Sequence, residues 1–299
     1  MELRTLRYFL AIAREESISG AAEALHTAQP SLSRQMKELE EELGKTLFYR
    51  GRRKITLTEE GMFLRKRAEE IIDLADRTAG ELTQEKKLAG DVYIGAGETE
   101  TMRLIARAAG TLRRSFPDIH LHIVSGDRVD IVEQLDKGLI DFAVLVGEAN
   151  PQYERLLLPR RDAWGVLMRK DHPLAQRSAV KPADLYGEPL LLSRQIRDGS
   201  PFQTWLGRSL AQLNVVSTHN LIYNASLMVA EGLGVAVTLE GLINTTGESC
   251  LCYRPLSPRL EAELYLSWKR YQTFSPAAAK FLELMREELV RETDPTKQK

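Results

Sequence analysis

Residues 28–44 read AQPSLSRQMKELEEELG, a stretch bounded by a proline near its start and a glycine at its end. Proline is favoured at the first helical position, because its missing N–H needs no partner there, and glycine commonly ends a helix. Between Pro30 and Gly44 the apolar residues recur at helical spacing: Leu32, Met36, Leu39 and Leu43. The pattern predicts a helix with one buried stripe, so its polar residues are free to contact something else.

The composition limits the class of protein. The chain has 299 residues, a formal net charge of −1 and two cysteines. At about 100–200 residues per domain, this length predicts more than one domain. Cys250 and Cys252 provide no disulfide framework, which favours a reducing compartment. Apolar runs are too short to span a membrane, and MELRTLRYFLAIAREES at the start lacks the unbroken apolar core of a signal peptide. We therefore expect a cytoplasmic protein with no membrane partner.

Two shorter helices are predicted before the Pro30 helix. Residues 2–15 carry apolar side chains at helical spacing, and Ser17 and Ser19 are possible caps for a second helix, GAAEALH, at 20–26. Its small residues allow a neighbouring backbone to come close. Two short helices joined by a tight turn form a helix-turn-helix, whose second helix lies in the DNA major groove and presents its N-terminal residues to the bases.

A basic turn follows Gly44 in KTLFYRGRRKITLT, residues 45–58. Apolar residues flank the turn, which predicts a two-stranded wing with cations at its tip; the alternative is a solvated basic turn. Phosphate contacts position a protein on the duplex, and base-edge contacts specify sequence. The predicted phosphate contacts are Arg50, Arg52, Arg53 and Lys54. The predicted contacts to bases or flanking phosphates are Ser19, Gln29, Pro30, Ser31, Ser33, Arg34 and Lys37.

The run from Ser17 to Gly61 resembles the N-terminal winged helix-turn-helix of LysR-type transcriptional regulators. The residues at that family's spacing are Ala21, Ala22, Gln29, Pro30, Ser33, Leu39, Glu40, Gly44, Leu47, Phe48, Leu57, Thr58 and Gly61. The resemblance covers essentially the whole chain. It implies a sequence-specific regulator of transcription that binds double-stranded DNA, responds to a small-molecule effector and acts on RNA polymerase access.

A long helix is predicted after Thr58, which can cap it, with Glu59 and Glu60 in its positively polarised first turn. Its apolar and small residues follow a heptad pattern: Leu64, Ala68, Ile71, Ala75, Thr78 and Leu82. Such a seam suits pairing with a second copy, and the alternative is packing against the helix's own domain. The resemblance implies a homodimer through this linker helix, or a homotetramer of two such dimers.

From Asp91 onward, strands alternate with helices, which predicts two α/β subdomains. A late strand and helix predict that the chain crosses between them twice, near 158–161 and near 268–270. The resemblance implies an effector domain of two Rossmann-like lobes similar to periplasmic solute-binding proteins. The predicted domains are the DNA-binding domain at 1–58, the linker helix at 59–89 and the effector domain at 90–299, with lobe 1 at 90–160 and 269–299 and lobe 2 at 161–268.

The effector is expected in the cleft between the lobes, where strand ends lead into helix N-termini with free N–H groups. Glu98 and Glu100 disfavour an anionic ligand, whereas arginines such as Arg128 and Arg194 favour one, so a ligand with both an amino and a carboxyl group suits the mixture. The predicted contacts are Glu98, Thr99, Glu100, Thr101, Ser125, Gly126, Arg128, Ser193, Arg194, Phe202, Asn220, Tyr223 and Asn224.

Other motifs are weak. VYIGAGETE begins like a dinucleotide fingerprint but has Glu100 at the third glycine position. His120 with His122, and Cys250 with Cys252, alternate as side chains on one face of a strand do, so no metal is expected. Catalytic motifs are missing, so no enzyme and no cofactor are predicted beyond the unidentified effector. The rival hypothesis, a small-molecule-binding protein or enzyme on a two-lobe α/β scaffold, leaves the first ninety residues without a role.

Overall fold

The computed structural model describes residues 1–51, 54–83, 88–147 and 151–293. The chain forms two compact units, Met1–Glu85 and Lys86–Lys299. No helix in the described ranges is both long and apolar enough to cross a bilayer. The elements of the first unit are α1 Leu3–Glu15, α2 Ile18–Ala24, α3 Gln29–Leu43, β1 Phe48–Arg50, β2 Ile55–Leu57 and α4 Glu59–Thr83.

The ends of α3 follow the sequence pattern with two differences. The helix begins at Gln29, so Pro30 occupies its second position rather than the predicted first. The N–H groups of the whole first turn lack helical partners, so the absence of one on proline is tolerated there too. Gly44 ends it in the left-handed conformation, with φ 62°. Leu32, Met36 and Leu39 are buried, but Leu43 in the last turn is 39% exposed, which corrects its predicted place in the stripe.

The α4 seam is divided between two environments, which corrects its predicted use as one continuous seam. Leu64 and Ala68 are buried in the core of their own unit, together with Ile72. Ile71 and Thr78 are exposed. This happens because the first half of α4 packs against α1, so the heptad positions there serve the unit's own core. Ala75 is half-buried, and the Leu82 side chain lies outside what the structure describes.

The second unit contains two lobes, each built on one twisted sheet. Lobe 1 has the strand order β4-β3-β5-β13-β6, and lobe 2 has β11-β7-β10-β8-β9 with β12 beside β7. The elements are β3 Gly90–Ala96, α5 Met102–Ser115, β4 Ile119–Ser125, α6 Arg128–Lys137, β5 Phe142–Val146, β6 Tyr153–Leu157, β7 Asp162–Arg169, β8 Leu190–Ser193, α7 Pro201–Leu206, β9 Val215–His219, α8 Ile222–Ala230, β10 Val235–Leu239, β11 Leu251–Pro255, β12 Glu261–Ala262, β13 Leu264–Lys269 and α9 Pro276–Thr293.

Each sheet is covered on both faces. In lobe 1, α5 and α9 enclose an apolar core that includes Phe142 and Phe281, and α6 covers the other face through Ile131 and Leu135. In lobe 2, α8 packs over one face and α7 over the other. Strands β3, β4 and β5 run parallel, as do β8, β9 and β10, so their carboxyl ends meet at one edge of each sheet.

The chain crosses between the lobes at two points. The first crossing lies between β6, which ends at Leu157, and β7, which begins at Asp162. The second lies at Glu263, since Ala262 pairs with β7 whereas Leu264 pairs with Val146 in lobe 1. The prediction of a crossing near 268–270 is therefore wrong, and 264–268 belong to lobe 1. Backbone pairing decides this, and the apolar pattern of β13 fits either sheet.

Candidate functional site

The polar face of α3 is open to solvent within its unit. Leu32 and Met36 anchor the opposite face in the core at 0% and 1% exposure. Of the predicted DNA contacts on this helix, one, Ser33, is half-buried, and the exposed ones are Gln29, Pro30, Ser31, Arg34 and Lys37. The helix can therefore offer its N-terminal half to a partner without disturbing its own packing.

The cations on α3 are held only by weak pairs. Arg34 Nε lies 2.8 Å from Glu38 Oε1, and Lys37 Nζ lies 3.4 Å from Glu41 Oε1, one helical turn away in each case. Exposed pairs of this kind contribute about 0.3–0.5 kcal/mol. Both cations can therefore exchange these carboxylates for a phosphate or a base edge at small cost.

The preceding helix has one of its two predicted caps. Ser17 caps α2 by accepting a hydrogen bond from the Gly20 N–H at 3.2 Å. Ser19 instead lies inside α2, with an exposed side chain. The helix begins at Ile18, so a cap at residue 19 is excluded, and Ser19 remains available to a partner.

The wing is joined to the helices by side-chain and aromatic contacts. Strand β1 pairs with β2 in antiparallel register, with Phe48 opposite Leu57. Glu40 on α3 accepts hydrogen bonds from the N–H of Leu47 at 2.7 Å and of Phe48 at 3.3 Å. The Phe48 ring packs 5.2 Å from that of Phe9 on α1. These contacts keep the wing beside α3.

The tip of the wing is partly outside the described residues. Arg52 and Arg53 are not described, nor is the side chain of Arg50. Lys54 is described, and its Nζ lies 2.6 Å from Glu16 Oε2. The side chains of both partners are about half exposed, at 56% and 50%, so solvent weakens the ion pair. Lys54 can therefore exchange Glu16 for a phosphate at small cost.

A cavity of about 270 Å³ lies between the two lobes of the second unit. Its walls come from the strand ends and loops at the cleft, as the parallel strands of the two sheets require. The lining residues are Ala96, Gly97, Glu98, Thr99, Glu100, Met102, Ile123, Ser125, Gly241 and Leu242.

Several hydrogen bonds already cross the cleft. Glu98 Oε2 accepts a hydrogen bond from the Ile222 N–H at 2.5 Å. The hydroxyls of Thr99 and Thr101 both donate to Asp162, Thr101 at 3.1 Å. Burial raises the pKa of the Asp162 carboxyl above its ordinary value, while these two hydroxyls act to lower it. Thr99 and Thr101 are 7% and 0% exposed, so the protons of their hydroxyls are committed to Asp162, the first residue of β7.

A second set of contacts joins Arg194 in lobe 2 to α6 in lobe 1. Arg194 Nε pairs with Asp127, the cap of α6, and its Nη2 lies 2.7 Å from Asp130 Oδ2. Burial acts to raise the pKa of Asp127, but the Arg194 hydrogen bond and the α6 N–H groups outweigh it and hold the pKa below its usual range. Gln195 also accepts from the Arg128 N–H at 3.3 Å. Arg194 is therefore neutralised within the chain.

Phe202 is not in the cleft, which corrects its predicted role. It is 1% exposed and stacks on Trp205 in the lobe 2 core, with ring centroids 5.7 Å apart. The remaining predicted contacts lie near the strand and helix ends that face the cleft. Exposed among them are Ser125, Asn220, Tyr223 and Asn224, half-buried are Arg128 and Ser193, and Gly126 is buried.

Metal ligation finds no support in the described residues, where no group of three or more His, Cys, Asp and Glu side chains converges. His122 instead lies 2.8 Å from Asp91 and stacks on Tyr93 at 4.5 Å. Cys252 is buried within β11, whereas Cys250 is exposed just before that strand begins.

Two comparisons of sequence with family models agree with this architecture. The bacterial regulatory helix-turn-helix protein model of the lysR family matches residues 3–62, and the LysR substrate binding domain model matches residues 85–290. The chain belongs to the LysR family. Family members are regulators of transcription rather than enzymes, and this chain is a LysR-type transcriptional regulator with a DNA-binding helix-turn-helix and an effector-binding domain.

Individual relatives share this organisation over their full length. The Hca operon transcriptional activator HcaR of Escherichia coli (strain K12) is 29% identical over 301 residues, covering 98% of this chain and 100% of that protein. The crystal structure of CbnR, a LysR family transcriptional regulator, has a TM-score of 0.70 at 19% identity and covers 97% of this chain and 99% of its own. CbnR in complex with its target DNA has a TM-score of 0.68 at 20% identity, covering 96% and 100%.

Three further residues of this LysR-family cleft were not singled out as effector contacts from the sequence. Asp127 and Asp162 are buried acids, and acidic residues next to a strand usually mark solvent-exposed turns. His219 ends β9 with its Nδ1 buried and without a hydrogen-bond partner among the described residues, and burial lowers the pKa of its ring. A partial indication existed for Asp127, because an Asp directly before an apolar helical pattern is a typical N-cap.

Proposed function

We propose that this regulator inserts α3 into the major groove of its DNA site, with the wing on the flanking phosphates. The exposed polar face of α3, opposite a stripe that is almost fully buried, is the observation that carries the proposal. The predicted contacts on α3 take the role that the recognition helix has in a helix-turn-helix. The fold shared with CbnR, solved on its target DNA, supports this geometry.

The same proposal includes pairing of two copies through α4. Three large apolar side chains of that helix, Phe63, Ile71 and Leu74, are 65%, 39% and 42% exposed in the single chain. They lie on one side of the helix, at spacings of eight and three residues, beside the face that packs on α1. Burying them between two copies would form a homodimer or, if dimers pair, a homotetramer. Two helix-turn-helix domains would then meet a two-fold DNA site.

The effector is proposed to bind in the cavity between the lobes. The contacts described across this cleft are hydrogen bonds and ion pairs that can be exchanged, so a ligand that favours one lobe arrangement shifts the population of closed and open forms. That shift would change how the oligomer lies on DNA and the access of RNA polymerase. We place the protein in the cytoplasm, and we propose the domain limits 1–58, 59–89 and 90–299, with the lobe boundary corrected to 263.

The proposal is tested by a mobility-shift titration of the full chain on the DNA upstream of its own gene. Each phosphate contact contributes about −0.9 to the slope of log affinity against log salt, so affinity should fall steeply between about 50 and 200 mM salt. Replacing Arg52 and Arg53 with alanine should flatten the slope and keep the preferred site, because these residues are assigned to phosphates.

The matched control is Arg113→Ala with Arg114→Ala, which removes the same charge from the C-terminal turn of α5 in the other unit. This pair should leave the slope as it is. Absence of a complex, or an affinity that does not depend on salt, would favour the rival hypothesis of a small-molecule-binding protein or enzyme. A changed preferred site after the wing substitutions would contradict the assignment of the wing to phosphates.

Replacing Arg34 with alanine should weaken binding to the preferred site by about 1–3 kcal/mol, with a smaller loss on unrelated DNA, because a base-reading arginine contributes to discrimination. Arg65→Ala is the control, since Arg65 forms the same type of exposed pair, 3.0 Å from Glu69 on α4. Competition assays with the preferred and an unrelated duplex measure both effects. An equal loss on both duplexes would make Arg34 a phosphate contact instead.

A further inference from the structure

The Glu98 side chain joins lobe 1 to the first turn of a helix in lobe 2. It follows β3, and its Oε2 receives the Ile222 N–H at 2.5 Å. Ile222 is the first residue of α8, and Leu221 before it provides no side-chain cap. The helix therefore takes its N-terminal acceptor from a residue more than 120 positions earlier in the chain, across the cleft.

A helix N-terminus has unpaired N–H groups and a partial positive charge, which favour a carboxylate. The contact observed here is a charge-assisted hydrogen bond, short for its class. Glu98 is half-buried and also lines the cavity, so its carboxylate occupies the place where the carboxylate of a ligand would meet α8. An anion entering the cavity must displace Glu98 or approach its negative charge.

Two arginines beside the cleft are already paired with carboxylates. Arg103 Nε is bonded to Glu100 Oε2 at 2.5 Å, and Arg194 is paired with Asp127 and Asp130. Of the described residues that line the cavity, Glu98 and Glu100 are the charged ones. The two carboxylates therefore have different partners. Glu100 is paired with Arg103 within lobe 1, whereas Glu98 accepts a hydrogen bond from the first turn of α8.

We infer that Glu98 is a specificity-determining residue that excludes carboxylate ligands from the α8 end of the cavity by acting as its built-in anion. The inference rests on the proposed function of the cleft as the effector site. An effector of this protein then carries a neutral or cationic group at this end. Shortening Glu98 should expose the N–H groups of α8 and open the site to simple carboxylates.

The test compares binding of benzoate and benzamide, a charged and a neutral probe of nearly the same shape, to the full chain by calorimetry. The unmodified protein should not prefer benzoate. Glu98→Ser should gain benzoate affinity by about tenfold over benzamide, the size of a partly buried anion contact at a helix N-terminus. Glu98→Gln removes the charge at constant size, so a smaller gain in the same direction is expected.

Glu100→Gln is the matched control, because it removes a carboxylate from the same cavity without touching α8. The inference is wrong if neither Glu98 variant gains benzoate preference, if Glu100→Gln gains as much, or if the unmodified protein already prefers benzoate. Should Glu98→Ser fail to fold, Glu98→Gln decides. The DNA titration separates the two proposals, since a chain that binds DNA with a steep salt slope while Glu98→Ser gains nothing overturns this inference alone.

Discussion

Replacing Phe9 with alanine is expected to destabilise the first unit by about 3–5 kcal/mol and to abolish DNA binding, although Phe9 is not a predicted DNA contact. Its side chain is 0% exposed and packs in a core formed by α1, α2, α3 and the first half of α4. Its ring also meets Phe48 on the wing. Truncation leaves a cavity where the helices and the wing join, and the loss is a large part of the stability of a small domain.

Leu3→Ala is the control for this prediction, because Leu3 lies on the same helix and is 43% exposed. It should change stability by less than about 0.5 kcal/mol, as surface substitutions usually do. Calorimetric melting of the full chain, with the mobility shift as the functional measurement, distinguishes the two variants. Equal melting profiles for the Phe9→Ala and Leu3→Ala proteins would show that the Phe9 side chain does not stabilise the first unit.

Replacing Gly61 with alanine is expected to destabilise the same unit by about 1–3 kcal/mol through steric conflict. A Cβ at this position would lie 2.2 Å from the carbonyl oxygen of Leu47 and 3.1 Å from Leu57 Cδ2. That carbonyl also accepts the Thr58 N–H at 3.0 Å, so it cannot move without disturbing the cap of α4. The Gly61 N–H in turn donates to the Thr58 hydroxyl at 2.9 Å.

Gly80→Ala on the same helix is the control, and it should stabilise the unit rather than destabilise it. Nothing lies within 4 Å of a Cβ built there, and alanine in a helix interior is favoured over glycine by about 0.5–1 kcal/mol. Thermal unfolding of both variants and of the unmodified chain provides the comparison. If the Gly61→Ala and Gly80→Ala proteins had the same melting temperature, the wing and α4 would not be in close contact.

The cleft shows where prediction from sequence stops. Thr99 and Thr101 were predicted to contact an effector, and the structure shows both hydroxyls bonded to Asp162; Phe202 was predicted in the cleft and lies in a core. A hydroxyl or ring at a strand or helix end has the same local pattern whether it faces a ligand or its own chain. The partner decides, and here it is more than 60 positions away in the case of Asp162.

Two strands, β6 and β12, were not predicted from the sequence for a related reason. Strand β6 is an edge strand of lobe 1, and most of its residues are partly or fully exposed, so its sequence lacks the alternation that marks a strand with one buried face. Strand β12 has two residues, too few to form a pattern. Strand pairing decided these elements, and it also moved the second lobe crossing to Glu263.

By itself, the sequence determined the helices of the DNA-binding head, the long linker helix and the alternation of strands and helices after Asp91. These follow from local preferences, such as Pro30 and Gly44 at the ends of α3, and from the periodicity of apolar residues. Only the tertiary structure decided which face of α4 packs in the core of its own unit, to which lobe β13 belongs and which residue's carboxylate caps α8. Those outcomes depend on contacts between residues far apart in the chain, which no local pattern encodes.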